Sequence, residues 1–117
     1  MTASPHGESP DRPTLVELRT TFPDRDTAVA CAERLVRDGV AACVQVDGPV
    51  ASVYAWRGAV ERAEEWRCTC KTSPGRAAAC RAAITAGHPY DVPELVETVV
   101  AGTAAYAAWV RDSVGET

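Results

Sequence analysis

The chain has 117 residues, with 46% apolar and 24% charged side chains and a formal net charge of -4. That length gives one domain with a real core. The acidic balance excludes a nucleic-acid surface, which needs clustered positive charge, and no apolar run is long enough to span a membrane.

Residues 1–13 hold Ser4, Pro5, Gly7, Ser9, Pro10 and Pro13 and no apolar face, which predicts a disordered tail containing His6, followed by a domain over 14–117. The first ten residues lack the basic start and apolar stretch of a signal peptide. Leu15 to Thr21 alternates as a strand, with Val16, Leu18 and Thr20 on one face. Phe22-Pro23 ends it and Asp24 caps a helix whose inner face is Ala28, Cys31, Ala32, Leu35 and Val36, with Gly39 as its stop. Val40 to Asp47 alternates again, Gly48-Pro49 bends the chain, and Val50 to Trp56 resumes the strand. Arg57-Gly58 is a turn, and Ala59 to Thr72 returns with Trp66, Cys68, Cys70 and Thr72 sharing a face. Residues 40–72 therefore form one long hairpin with a kinked outgoing arm.

Ser73 and Pro74 open a second helix facing inward through Ala77, Cys80 and Ile84 and stopped by Gly87. Val92 to Val100 is the fourth strand, entered through Pro89 and Pro93. Gly102-Thr103 starts a last helix with Tyr106, Trp109 and Val110 on one face. The β-α-β-β-α-β order is the ferredoxin-like pattern, an α+β sandwich with a C-terminal helix added. The hairpin arms are too long for a sheet of this size. Tyr54, Trp56 and Trp66 lie along the projection, which predicts self-association.

Five cysteines, an odd count without an export signal, predict reduced thiols and a cytoplasmic protein. Cys43 is a candidate soft-metal ligand or a small residue in a tight strand. Cys68 and Cys70 are spaced to chelate one soft ion or to pack the core, and the packing reading leads. Cys31 and Cys80 sit on apolar helix faces. His88, between a helix stop and a proline, is suited to hold a metal, move a proton or anchor the turn. Lys71 is the single lysine beside eleven arginines. It suggests an anion contact in a cleft with Glu64 or Glu65, or an interface salt bridge. Tyr90, Tyr54 and Trp56 read as interface aromatics. The sequence has no phosphate loop and no nucleophile-base set, so a non-enzymatic role is expected.

The residues resemble the CutA divalent-cation-tolerance family. The resemblance rests on Thr20-Thr21-Phe22-Pro23-Asp24, Ala41-Ala42-Cys43-Val44, Ser52-Val53-Tyr54-Ala55-Trp56-Arg57-Gly58, Glu64-Glu65 with Lys71-Thr72, and His88-Pro89-Tyr90-Asp91-Val92-Pro93-Glu94, with Tyr106 and Trp109 in the last helix. It covers roughly residues 14–112. It implies a ferredoxin-like protomer, a homotrimer shaped like PII signalling proteins, and weak binding of copper or another divalent cation. His88 would be the first ligand and Cys43 the second. The alternative it implies is a small-molecule sensor or repurposed enzyme using an inter-subunit cleft of Lys71, Glu65, Tyr90 and Trp56. The expected partners are further copies of the chain and a metal ion, with no nucleic acid and no membrane. The chain departs from the family pattern at Gln45, Trp66, Cys68, Cys70 and Glu97. Thr20 and Gly87 stand where some relatives carry a Cys and a second His.

Overall fold

A computed structural model describes residues 13–116. The expected tail, apart from Pro13, lies outside the described residues. Strand β1 (Thr14–Phe22) leads into helix α1 (Arg25–Arg37). Asp24 caps α1 by accepting a hydrogen bond from the Thr27 backbone N–H at 2.8 Å. Ala28, Cys31, Ala32 and Leu35 are buried as the spacing predicts, whereas Val36 is 45% exposed. The apolar stripe is narrower than the sequence suggests, because Val36 lies past the edge of the sheet-facing surface.

Strands β2 (Cys43–Trp56) and β3 (Ala59–Thr72) form the long hairpin. Arg57 and Gly58 both adopt positive φ, at 50° and 83°, which is the backbone of a tight two-residue turn. The register slips between Asp47 and Val50, where Gly48-Pro49 makes the expected kink. Gly48 is needed there, because a Cβ at this position would meet the Trp66 ring at 2.8 Å.

Ser73 caps a 3-10 turn (Pro74–Arg76) that runs into α2 (Ala77–Ala86). Strand β4 (Val96–Ala101) starts later than the alternation suggests. Residues 92–95 precede its first pairing, Val96 with Arg19, and Pro93 has no N–H to give to a ladder. Helix α3 (Ala104–Ser113) buries Ala107 and Val110. Tyr106 and Trp109 pack on each other outside the core at a centroid distance of 5.6 Å, so they do not share the inward face with Val110.

The sheet order is β2-β3-β1-β4, with every neighbouring pair antiparallel. This is the ferredoxin-like arrangement. Helices α1 and α2 cover the face carrying Val16, Leu18, Phe22, Cys68 and Cys70, while α3 packs with Leu15, Ala42 and Val114 in a second cluster. Leu15 and Val16 are neighbours in one strand, so the two clusters lie on opposite faces. Glu97, unusual in an apolar strand, is explained by Arg81 of α2, whose guanidinium reaches its carboxylate at 2.9 Å. The last residue of β1, Phe22, pairs with Trp66. Beyond that row, from Glu65 to the turn, β3 keeps only β2 as a partner, and the hairpin leaves the body of the sheet.

Candidate functional site

The segment from His88 to Glu94 lies where β1 ends and the hairpin departs. His88 follows Gly87, the C-cap of α2. Its ring stacks on Phe22 at 4.5 Å between centroids, 16° from parallel. Its Nδ1 accepts a hydrogen bond from the Tyr90 backbone N–H at 3.1 Å. A nitrogen that accepts carries no proton, so the proton of the neutral ring is on Nε2. That nitrogen donates to Thr20 Oγ1 at 3.0 Å. Burial lowers the His88 pKa, opposed by the Thr21 backbone and the Glu65 charge. The histidine is thus neutral near pH 7, and both nitrogens are occupied. It behaves as an anchor for the turn, and a metal would have to displace one of these bonds.

Tyr90 extends the network. Its hydroxyl donates to Glu65 Oε2 at 2.8 Å. Burial raises the phenol pKa and the Glu65 hydrogen bond raises it further, so Tyr90 stays protonated as a donor. Around this pair lies an open cavity of about 820 Å³ between the hairpin and the 89–94 segment. Its walls include Tyr54, Trp56, Glu65, Tyr90, Asp91 and Glu94. Trp56 is 44% exposed, with the Arg57 guanidinium 5.4 Å from its ring centre.

Lys71 is elsewhere. Its Nζ pairs with Glu17 Oε2 at 3.3 Å, and both side chains are about three-quarters buried. Cys43, Lys71 and Glu17 form one cross-strand row and therefore share a face. Thr20, the partner of His88, is three residues on from Glu17 and faces the other side. The fold accordingly brings Glu65, Tyr90 and Trp56 to one cavity, keeps His88 at its root, and separates Cys43 and Lys71 from all of them. Among the described residues, no three His, Cys, Asp or Glu side chains converge in a way that would hold a metal ion.

The sequence did not show that Thr20 and Phe22 seat the His88 ring. Thr20 and Phe22 belong to the Thr-Thr-Phe-Pro-Asp motif, so the signal was present, but its use as a seat for an imidazole needs contact across 68 residues of chain. Asp91 and Glu94 on the cavity wall were quoted only as part of a motif.

The chain matches a family model described as CutA1 divalent ion tolerance protein over residues 16–113. It is 33% identical over 96 residues to the divalent-cation tolerance protein CutA of Thermus thermophilus, spanning 81% of this chain and 93% of that one. It is 31% identical over 108 residues to the CutA protein of Escherichia coli O45:K1, spanning 92% and 96%. The crystal structure of CutA from Xylella fastidiosa superposes with a TM-score of 0.83 at 29% identity, over 86% of this chain and 97% of that chain. CutA from Synechococcus elongatus gives 0.82 at 32% identity, over 87% and 91%.

Proposed function

We propose that this chain, which belongs to the CutA1 divalent ion tolerance protein family, is a homotrimer that binds copper or another divalent cation weakly at the cavity beside Glu65. The observation that carries the reading is the hairpin. It extends past the Phe22–Trp66 row and exposes Val53, Tyr54, Trp56 and Val60, each 44% or more accessible. Apolar side chains in that position call for cover, and copies of the same chain supply it most economically. Edge strand β4, with Val96 and Val99 exposed, offers a receiving surface. The closed ring of subunits would also protect that edge.

The oxygen donors Glu65, Asp91 and Glu94 line the cavity, and hard or borderline divalent ions accept such ligands. Without three converging donors among the described residues of one chain, binding is weak unless a second copy contributes. His88 supports the site by fixing the turn, and Cys43 lies outside it. The five cysteines are all free, which suits work in a reducing compartment such as the cytoplasm.

Calorimetric titration of the reduced protein with Cu(II) tests the cation role. Saturable heat that falls in Glu65→Gln and persists in Cys43→Ser supports it. Equal heat in wild type and Glu65→Gln contradicts it. A second reading, a sensor of a small organic molecule, draws on the aromatic walls Tyr54 and Trp56 and the size of the cavity. A thermal-shift screen with nucleotides and metabolite anions checks it, and no stabilising compound would reject it.

A further inference from the structure

The cavity beside Glu65 pairs acidic groups with aromatic walls. Three carboxylates line it, Glu65, Asp91 and Glu94, and among the described residues no lysine or arginine does. In the hairpin register Tyr54 stands opposite Glu61, Trp56 opposite Ala59 and Val50 opposite Glu65. Side chains two residues apart share a face, so Tyr54, Trp56, Glu61 and Glu65 project from one side of the hairpin. Val60 and Arg62, opposite Ala55 and Val53, project from the other. The acids and aromatics therefore face the cavity together, and the nearest basic residue of β3 faces away from it.

The aromatic walls are an independent observation. Tyr54, Trp56 and Tyr90 line the same cavity, and Tyr54 and Trp56 are 45% and 44% accessible. The Arg57 guanidinium lies 5.4 Å from the centre of the Trp56 ring, so in this fold that ring already takes a cation. Glu65 is partly buried and accepts the Tyr90 hydroxyl at 2.8 Å. A carboxylate has about four lone-pair sites, which leaves Glu65 capacity for further N–H donors.

We infer that this cavity binds a linear aliphatic polyamine, with ammonium groups on Glu65 and on the Asp91–Glu94 loop and the methylene chain against Tyr54 and Trp56. The inference deepens the small-molecule reading of the same cavity and rests on it. Carboxylates without a basic partner disfavour an anion. Nor do the acids suit a point charge, since among the described residues no three of them converge to hold one ion. A flexible chain with several charges meets several separated acids at once. The ring faces select a cation that carries hydrocarbon, because methylenes pack on them and an ammonium is drawn to their π-clouds. The open cavity of about 820 Å³ has room for such a chain.

The test is calorimetric titration of the reduced full-length protein with spermidine at fixed pH and ionic strength. The expected result is saturable binding of one spermidine per chain, with putrescine, which carries one charge fewer, weaker by about tenfold. The double variant Asp91→Asn with Glu94→Gln weakens spermidine by about tenfold or more, and Trp56→Leu by at least about fivefold. Arg57→Asn, which keeps a residue tolerant of positive φ in the turn, tightens binding because Trp56 loses its resident cation. No saturable heat, equal binding in the Asp91–Glu94 double variant, or weaker binding in Arg57→Asn overturns the proposal. Should Trp56→Leu fail to fold or assemble, the exposed-loop pair and Arg57→Asn decide. A metabolite anion that stabilises the protein while spermidine does not overturns the polyamine and leaves the small-molecule reading standing. Cu(II) heat without spermidine heat overturns the polyamine and leaves the metal reading standing.

Discussion

Tyr90 gives its phenol hydrogen to Glu65 at 2.8 Å, which ties the loop after α2 to the point where the hairpin leaves the sheet. Tyr90→Phe removes the bond and keeps the ring. The expected cost is about 1 kcal/mol, because the acceptor is charged but partly solvated. The loss is local, so amide exchange over residues 89–94 speeds up while that of β1 does not. Unchanged exchange in the loop would show that Glu65 does not hold it.

His88 makes stability depend on pH. Its folded pKa lies below the ordinary value, so the unfolded chain binds the proton more tightly. The contribution is fully present above about pH 6.5 and is lost as pH falls through the His range toward the folded pKa. Protonation also puts a hydrogen on Nδ1 and breaks the bond from the Tyr90 N–H. Chemical denaturation from pH 8 to pH 5 is expected to show this decline. His88→Gln is less stable at pH 8 and has a flatter profile. A parallel slope in both proteins would assign the decline to other groups.

Gly48 and Trp66 are fitted to each other. Gly48→Ala places a methyl 2.8 Å from the indole, and the expected loss is about 1–3 kcal/mol. Trp66→Leu in the same chain makes room and recovers part of the loss. Additive losses in a denaturant-melt cycle would argue against the contact.

Lys71 and Glu17 are a structural pair in this fold. Removing either by alanine leaves a largely buried charge on the other, and a double-mutant cycle is expected to give coupling of about 0.5–1.5 kcal/mol. Cu(II) titration of Lys71→Ala is expected to match wild type, because Lys71 is not on the cavity wall.

The elements were legible wherever one residue decided a local choice. Asp24 caps α1, Ser73 caps the turn into α2, Gly87 ends α2, and Arg57-Gly58 turns the hairpin. Faces were less legible where two stripes compete. In α3 both Tyr106 with Trp109 and Ala107 with Val110 are spaced to face inward, and packing against Leu15 selects the smaller pair. Val92 reads as strand by composition, but the β1 ladder reaches only to Val96. The site was legible as motifs and not as contacts. His88, Tyr90, Glu65 and Trp56 could be named from sequence, yet the Thr20 and Phe22 seat and the Lys71–Glu17 pairing depend on strand register. Register is set by the whole sheet.

The exposed apolar residues of the hairpin require cover by further copies of the chain. Sedimentation equilibrium of the reduced, tag-free protein measures this directly. The predicted result is a single species of three chains, three times 12.4 kDa or about 37 kDa, stable on dilution. A species at 12.4 kDa would contradict it, leaving Val53, Tyr54 and Trp56 exposed in solution.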